Sequence, residues 1–75
     1  MMSKQQRIAV STFNDRAHGF LDDGYKLVFY VHSHGFFMAK FINPHGKRIT
    51  LRLSLQDGIL SQLTNGKEVF SAEMC

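Results

Sequence analysis

Glycines stand at positions 24, 35, 46, 58 and 66, at intervals of 11, 11, 12 and 8 residues. Between most of them run stretches in which apolar and polar residues alternate, the two-residue period of a β-strand. A chain punctuated in this way is confined to short strands joined by tight turns. The intervening segments share nothing beyond that alternation, so the spacing is not a sequence repeat.

Three of the turns have one form: Ser33-His34-Gly35, Pro44-His45-Gly46 and Gln56-Asp57-Gly58. Three-residue hairpin loops end on a left-handed residue, and glycine suits that place because it has no Cβ. Each assumed loop sets a register, and a register one residue out inverts every side chain. The loop Pro44-His45-Gly46 sets Phe41 opposite Ile49, Ala39 opposite Leu51 and Phe37 opposite Leu53. A two-residue loop at His45-Gly46 would set Lys40 against Leu51, which buries a charge. The loop Ser33-His34-Gly35 sets Val31 opposite Phe37, Phe29 opposite Ala39 and Leu27 opposite Phe41. The loop Gln56-Asp57-Gly58 sets Leu55 opposite Ile59 and Leu51 opposite Leu63. Together they predict one apolar face of Leu27, Phe29, Val31, Phe37, Ala39, Phe41, Ile49, Leu51, Leu53, Leu55, Ile59 and Leu63.

The same register predicts a second face. It holds Lys26, Val28, Tyr30 and His32, then Phe36, Met38, Lys40 and Ile42, then Arg48, Thr50, Arg52 and Ser54, and last Leu60 and Gln62. Met38 is expected between Tyr30 and Arg52. The face is neither a clean core nor a clean solvent surface.

The ends of the chain are less regular. Residues 1–6 are polar and aperiodic and read as a mobile tail. Residues 7–13 read as a first strand, with Ile8 and Val10 on one face. Phe13, Ala17, Phe20 and Leu21 have helical spacing, and Thr12 or Asn14 could cap a short helix there. The competing reading continues the strand to Leu21 and makes Asp22-Asp23-Gly24 a further turn. Residues 59–64 read as a strand or a single helical turn. Asn65-Gly66 is a strong hairpin signal, which returns residues 67–72 and brings Phe70 and Ala72 to the apolar face. Residues 73–75 are expected to fray. The expected fold is mainly β: a small antiparallel meander of five to six strands, half-closed or barrel-like, with a short N-terminal helix. Residues 7–75 form a single small β-rich domain.

Seventy-five residues bury a limited fraction of their surface, which disfavours a deep enclosed active site. The 44% apolar content is that of a globular domain. A formal charge of +3 is a mild excess and a weak pointer to nucleic acid. The single cysteine, Cys75, excludes an internal disulfide framework and fits a reducing compartment. There is no secretory pattern at the start and no apolar run of membrane-spanning length. These features predict a cytoplasmic protein, of the cell or of a host cell, without a membrane partner.

No catalytic constellation stands out. His32, His34 and His45 lie near turns, and consecutive turns of a meander fall at opposite ends of the sheet. They are not expected to converge on a metal, which needs about four ligands at ~2 Å. Cys75 is terminal, no serine sits in a strand-to-helix elbow, and each glycine stands alone rather than in a phosphate loop. Asp15 and His18 would approach each other on a helix as an ordinary surface pair. The expectation is a non-enzymatic protein with no cofactor, no metal and no small-molecule substrate.

What remains is the second face. Tyr, Phe, Met and Arg are enriched at protein–protein interfaces and Asp and Glu are depleted. No acid occurs from Lys26 to Ser54. The candidate binding residues are therefore Lys26, Tyr30, His32, Phe36, Met38, Lys40, Arg48 and Arg52. A protein partner or a homo-dimer is expected first, in the role of an accessory regulator or stoichiometric inhibitor, as a mobile element could encode. The alternative is a single-stranded nucleic acid, its bases on the aromatic rings and its phosphates on Lys and Arg. A meander of this length resembles SH3-like and OB-like small barrels in general architecture, and architecture alone does not give function.

Overall fold

The computed structural model describes residues 3–73. The expectations for Cys75 and for the first two residues lie outside that range. The chain forms one helix, α1 (Lys4–Asp22), followed by β1 (Lys26–Ser33), β2 (Phe36–Ile42), β3 (Arg48–Ser54), β4 (Ile59–Thr64) and β5 (Lys67–Glu73). The strands make an antiparallel sheet in sequence order, open at β1 and β5. The meander is as expected, with five strands and no closure into a barrel.

The helix is longer than predicted. It takes in residues 4–6 of the expected tail and all of the expected strand at 7–13. Its start is a capping box: Gln6 N–H donates to Ser3 Oγ at 3.1 Å, and Ser3 N–H donates to Gln6 Oε1 at 3.0 Å. Two orphan donors of the first turn are thereby satisfied. Ala9 and Phe13 are buried, and Val10, Ala17 and Phe20 pack at the edge of the core. This is a helical stripe, and Ile8, read as one end of an alternating strand, is 51% exposed. The helix ends where the alternative reading put a turn. Tyr25 N–H donates to Phe20 O at 3.0 Å and Gly24 N–H donates to Leu21 O at 3.1 Å. That is a Schellman cap, with Gly24 in the left-handed region and the Tyr25 ring edge-on to Phe20 at 5.3 Å.

Of the three predicted registers, the β2–β3 register is correct: Phe37 pairs with Leu53, Ala39 with Leu51 and Phe41 with Ile49. The β1–β2 register is not. Ser33 pairs with Phe36, so the turn is only His34-Gly35, with φ of 52° and 77°. Two successive positive φ values are the signature of a type I′ turn, whose twist matches that of the strands. Most of β1 is therefore inverted: Tyr30 pairs with Ala39 and His32 with Phe37, while Phe29 and Val31 pair with Lys40 and Met38. A bulge at Val28 absorbs the displaced residue, and Leu27 recovers its predicted partner Phe41.

The β3–β4 register is also corrected. Ser54 pairs with Ile59 and Leu53 with Leu60, across a four-residue connection at 55–58. Leu55 is the reason. It is buried in the loop, its N–H donates to Gly35 O at 2.9 Å, and its side chain plugs the end of the core. Counting Leu55 as a strand residue shifted the expected phase by one. Leu60 is fully buried, whereas Ile59 is 38% exposed and Leu63 half-buried on the opposite face. Asn65-Gly66 forms the predicted hairpin turn, with φ of 51° and 86°. A second bulge, at Val69, brings Phe70 opposite Gln62.

The core lies between α1 and one face of the sheet. It contains Ala9 and Phe13 from the helix and Phe37, Ala39, Phe41, Ile49, Leu51, Leu53, Leu55 and Leu60 from the sheet side. Arg16 extends the helix contact outward: its guanidinium lies 4.2 Å from the centre of the Phe70 ring and donates to Gln62 Oε1 at 3.3 Å. No element among the described residues covers the other face of the sheet.

Candidate binding face

Each side chain of the uncovered face is placed by strand alternation from the core. Because Phe37, Ala39 and Phe41 point to the helix, Phe36, Met38, Lys40 and Ile42 point away from it. Their β3 neighbours are Ser54, Arg52, Thr50 and Arg48 in the same order. On the outer side stand Val31 opposite Met38 and Phe29 opposite Lys40, with Lys26 opposite Ile42. Towards the other edge lie Ile59, Ser61 and Leu63, then Glu73, Ser71 and Glu68 of β5.

The face therefore gathers six of the eight predicted residues: Lys26, Phe36, Met38, Lys40, Arg48 and Arg52. Tyr30 and His32 are not among them. They lie on the helix side, where the His32 ring stacks on Phe37 with centroids 3.9 Å apart and planes 13° from parallel. Phe29 and Val31 take their places. The signal that could have found them is the His34-Gly35 dipeptide, read as a two-residue turn. That reading sets Lys40 against Phe29, and the ammonium does lie over the Phe29 ring at 5.6 Å. Leu60 and Gln62, also expected on this face, belong to the helix side for the reason given for β4.

Its electrostatics are divided. Lys26, Lys40, Arg48 and Arg52 occupy β1 to β3 with no acid between Lys26 and Ser54, and Glu68 and Glu73 lie on β5. A shallow groove crosses the cationic part near the turns at 43–47 and 65–66. Val28, Lys40, Ile42, Gly46, Arg48 and Thr50 line it. Asn43 builds one bank: its Oδ1 accepts from the N–H of His45 at 3.0 Å and of Lys47 at 2.8 Å. Asn65 builds the other, where its Oδ1 accepts from Arg48 N–H at 3.0 Å. Two turns thus hold Arg48 and Thr50 at the rim of the groove, beside Lys40.

A second hollow, of about 240 Å3, opens on the helix side between α1 and β1. Phe13, Ala17, Leu21, Leu27 and Tyr30 line it, with Asn14 and His18 at its mouth. It exists because α1 packs mainly over β3 and leaves the β1 edge uncovered.

Among the described residues, no three His, Cys, Asp or Glu side chains gather as a metal cluster. His34 Nδ1 lies 2.8 Å from Ser33 Oγ at one end of the sheet, and His45 stands in the turn at the other. No helix among the described residues is long and apolar enough to cross a membrane. No family model, no curated protein and no solved structure matches the chain.

Proposed function

We propose that this chain is a small non-enzymatic binding module that occupies a protein partner's surface with its uncovered sheet face. The observation that carries the reading is the unpaired layer. Phe36, Met38 and Ile42 share the outer side of β2 with Lys40, flanked by Arg48 and Arg52 on β3, and no element among the described residues covers them. Apolar side chains interleaved with cations are the composition of a protein interface. Phe36 and Met38 are the anchors, and Arg52 beside Met38 supplies directional hydrogen bonds to a carbonyl or carboxylate. A module of this size without a catalytic constellation suits a cytoplasmic accessory regulator or stoichiometric inhibitor.

The second reading, single-stranded nucleic acid, draws support from the groove lined by Lys40, Arg48 and Thr50 and from the half-exposed Phe29 ring. One experiment separates the two. A photo-crosslinking side chain replaces Met38 in cells that encode the chain, with a control at the exposed helix residue Asp15. The expected product is a discrete adduct at Met38, resistant to nuclease, absent from the control, and lost when Met38→Asp is tested by competition. A nuclease-sensitive adduct moves the nucleic-acid reading to first place. No adduct at Met38, from protein that keeps its far-UV spectrum, removes the face from consideration.

A further inference from the structure

We infer that β1 is a self-association edge, through which two copies of this chain pair antiparallel about Val31 into one continuous ten-stranded sheet. The inference does not rest on the reading of the uncovered face. It starts from the exposure of β1. Leu27, Val28, Phe29 and Tyr30 are consecutive, large and apolar, and each is between 47% and 60% exposed. They point to both sides of the sheet and stand at its open edge. Monomeric proteins protect such edges with charge, proline or a covering element. Here the only charge on the strand is Lys26, at its end.

The hairpin geometry determines which backbone groups are free. A two-residue turn makes Ser33 and Phe36 a hydrogen-bonded pair. Alternation then gives Val31 and Met38 a hydrogen-bonded pair, and it points the N–H and C=O of Tyr30 and His32 away from β2. An antiparallel second copy centred on Val31 sets Tyr30 against His32 in both directions, so these groups satisfy one another. It sets Val31 against Val31 on the uncovered side and joins Tyr30 to the second copy's His32 beside the apolar hollow under α1. The bulge at Val28 stays outside the paired stretch.

Charge favours this surface over a face-to-face dimer. Residues 27–33 carry no charged side chain, so two copies meet at the edge without repulsion. A symmetric sandwich of the uncovered faces centred on β3 would bring Arg52 against Arg52 or Arg48. Exposed apolar surface lies within this register. A half-exposed aromatic side chain leaves about 100 Å2 free, so Phe29 and Tyr30 offer roughly 200 Å2 inside the paired stretch, and Leu27 and Val28 fall at its end opposite the second copy's turn. His32 and the strand backbone add to this patch.

The test is sedimentation velocity across a concentration series, with a covalent readout of register. The expected species has twice the 8.6 kDa chain mass. Val31→Lys places two ammonium groups on the symmetry axis and is expected to give a monomer with an unchanged far-UV spectrum. In a Cys75→Ser background, Val31→Cys is expected to cross-link on oxidation, because facing Cα atoms of a non-hydrogen-bonded pair lie about 4.5 Å apart. Met38→Cys in the same background is expected not to. A monomer at every concentration overturns the inference. So does a dimer that Val31→Cys fails to cross-link, and that result decides the matter alone if Val31→Lys does not fold.

Discussion

At the scale of single residues, Gly19 shows a stability reserve within α1. It is exposed, lies inside the helix, and has no heavy atom within 4 Å of the place a Cβ would occupy. Alanine there removes backbone freedom from the unfolded chain and meets no obstacle. Gly19→Ala is expected to stabilise the fold by about 1 kcal/mol. For a domain of this size that raises the thermal midpoint by roughly 4–8 °C, read by circular dichroism. A lowered midpoint would show that the helix does not run unbroken through position 19. Residue-scale reading of the sequence located Met38, Lys40, Arg48 and Arg52 correctly because one well-defined turn sets the phase of β2 and β3. It misplaced Tyr30 and His32 because a three-residue loop was assumed where the turn is His34-Gly35, and a slip of one residue inverts a strand. His32 meets the demands of its site by lying flat on Phe37.

At the scale of elements, β4 gives the sharpest contrast between pattern and packing. Its sequence offers two phases: Ile59 with Leu63, or Leu60 with Gln62. The first is the more apolar and was the expected one. The second wins because Leu55 folds into the core from the loop, and Gln62 finds a donor in Arg16 and a cover in the Arg16–Phe70 stack. Leu60→Asp buries a charge and is expected to leave the chain unfolded at neutral pH. Ile59→Lys, which sets an ammonium opposite Glu73, is expected to cost under about 1 kcal/mol. Urea denaturation of the two variants distinguishes them, and equal losses would contradict the register. The helix tells the same story from the other end. Ile8 and Val10 alternate like a strand, but Ala9 is small, and its stripe with Phe13 becomes visible only once a sheet is there to receive it. The Ser3–Gln6 capping box was the local sign of its start.

At the scale of the whole molecule, a two-layer fold of this size has one covered sheet face and one bare face, and both of its edges are open. Such a chain buries a limited fraction of its surface by itself. If β1 joins two copies, folding and association are coupled by mass action. The thermal midpoint is then expected to rise with protein concentration in the wild type and to stay constant in Val31→Lys, as scanning calorimetry would show. A midpoint independent of concentration in both would mean that the monomer alone accounts for the stability. Pairing at β1 would also set two uncovered faces side by side and double the length of the surface available to a partner.

The meander, the glycines that mark its turns, the hairpin at Asn65-Gly66 and the pairing of β2 with β3 were legible in the chain alone. These are local properties: glycine at left-handed positions and a two-residue alternation are both written within a few residues of where they act. The extent of α1, the phases of β1 and β4 and the choice of bare face came from packing. Those depend on where Leu55 and Leu60 find space, on the bulge that absorbs Val28, and on a helix that covers one side of the sheet. Side-chain phase is settled by the free energy of burial against a distant element. A run in which both phases carry apolar residues, such as Leu27 to Val31, does not record that choice.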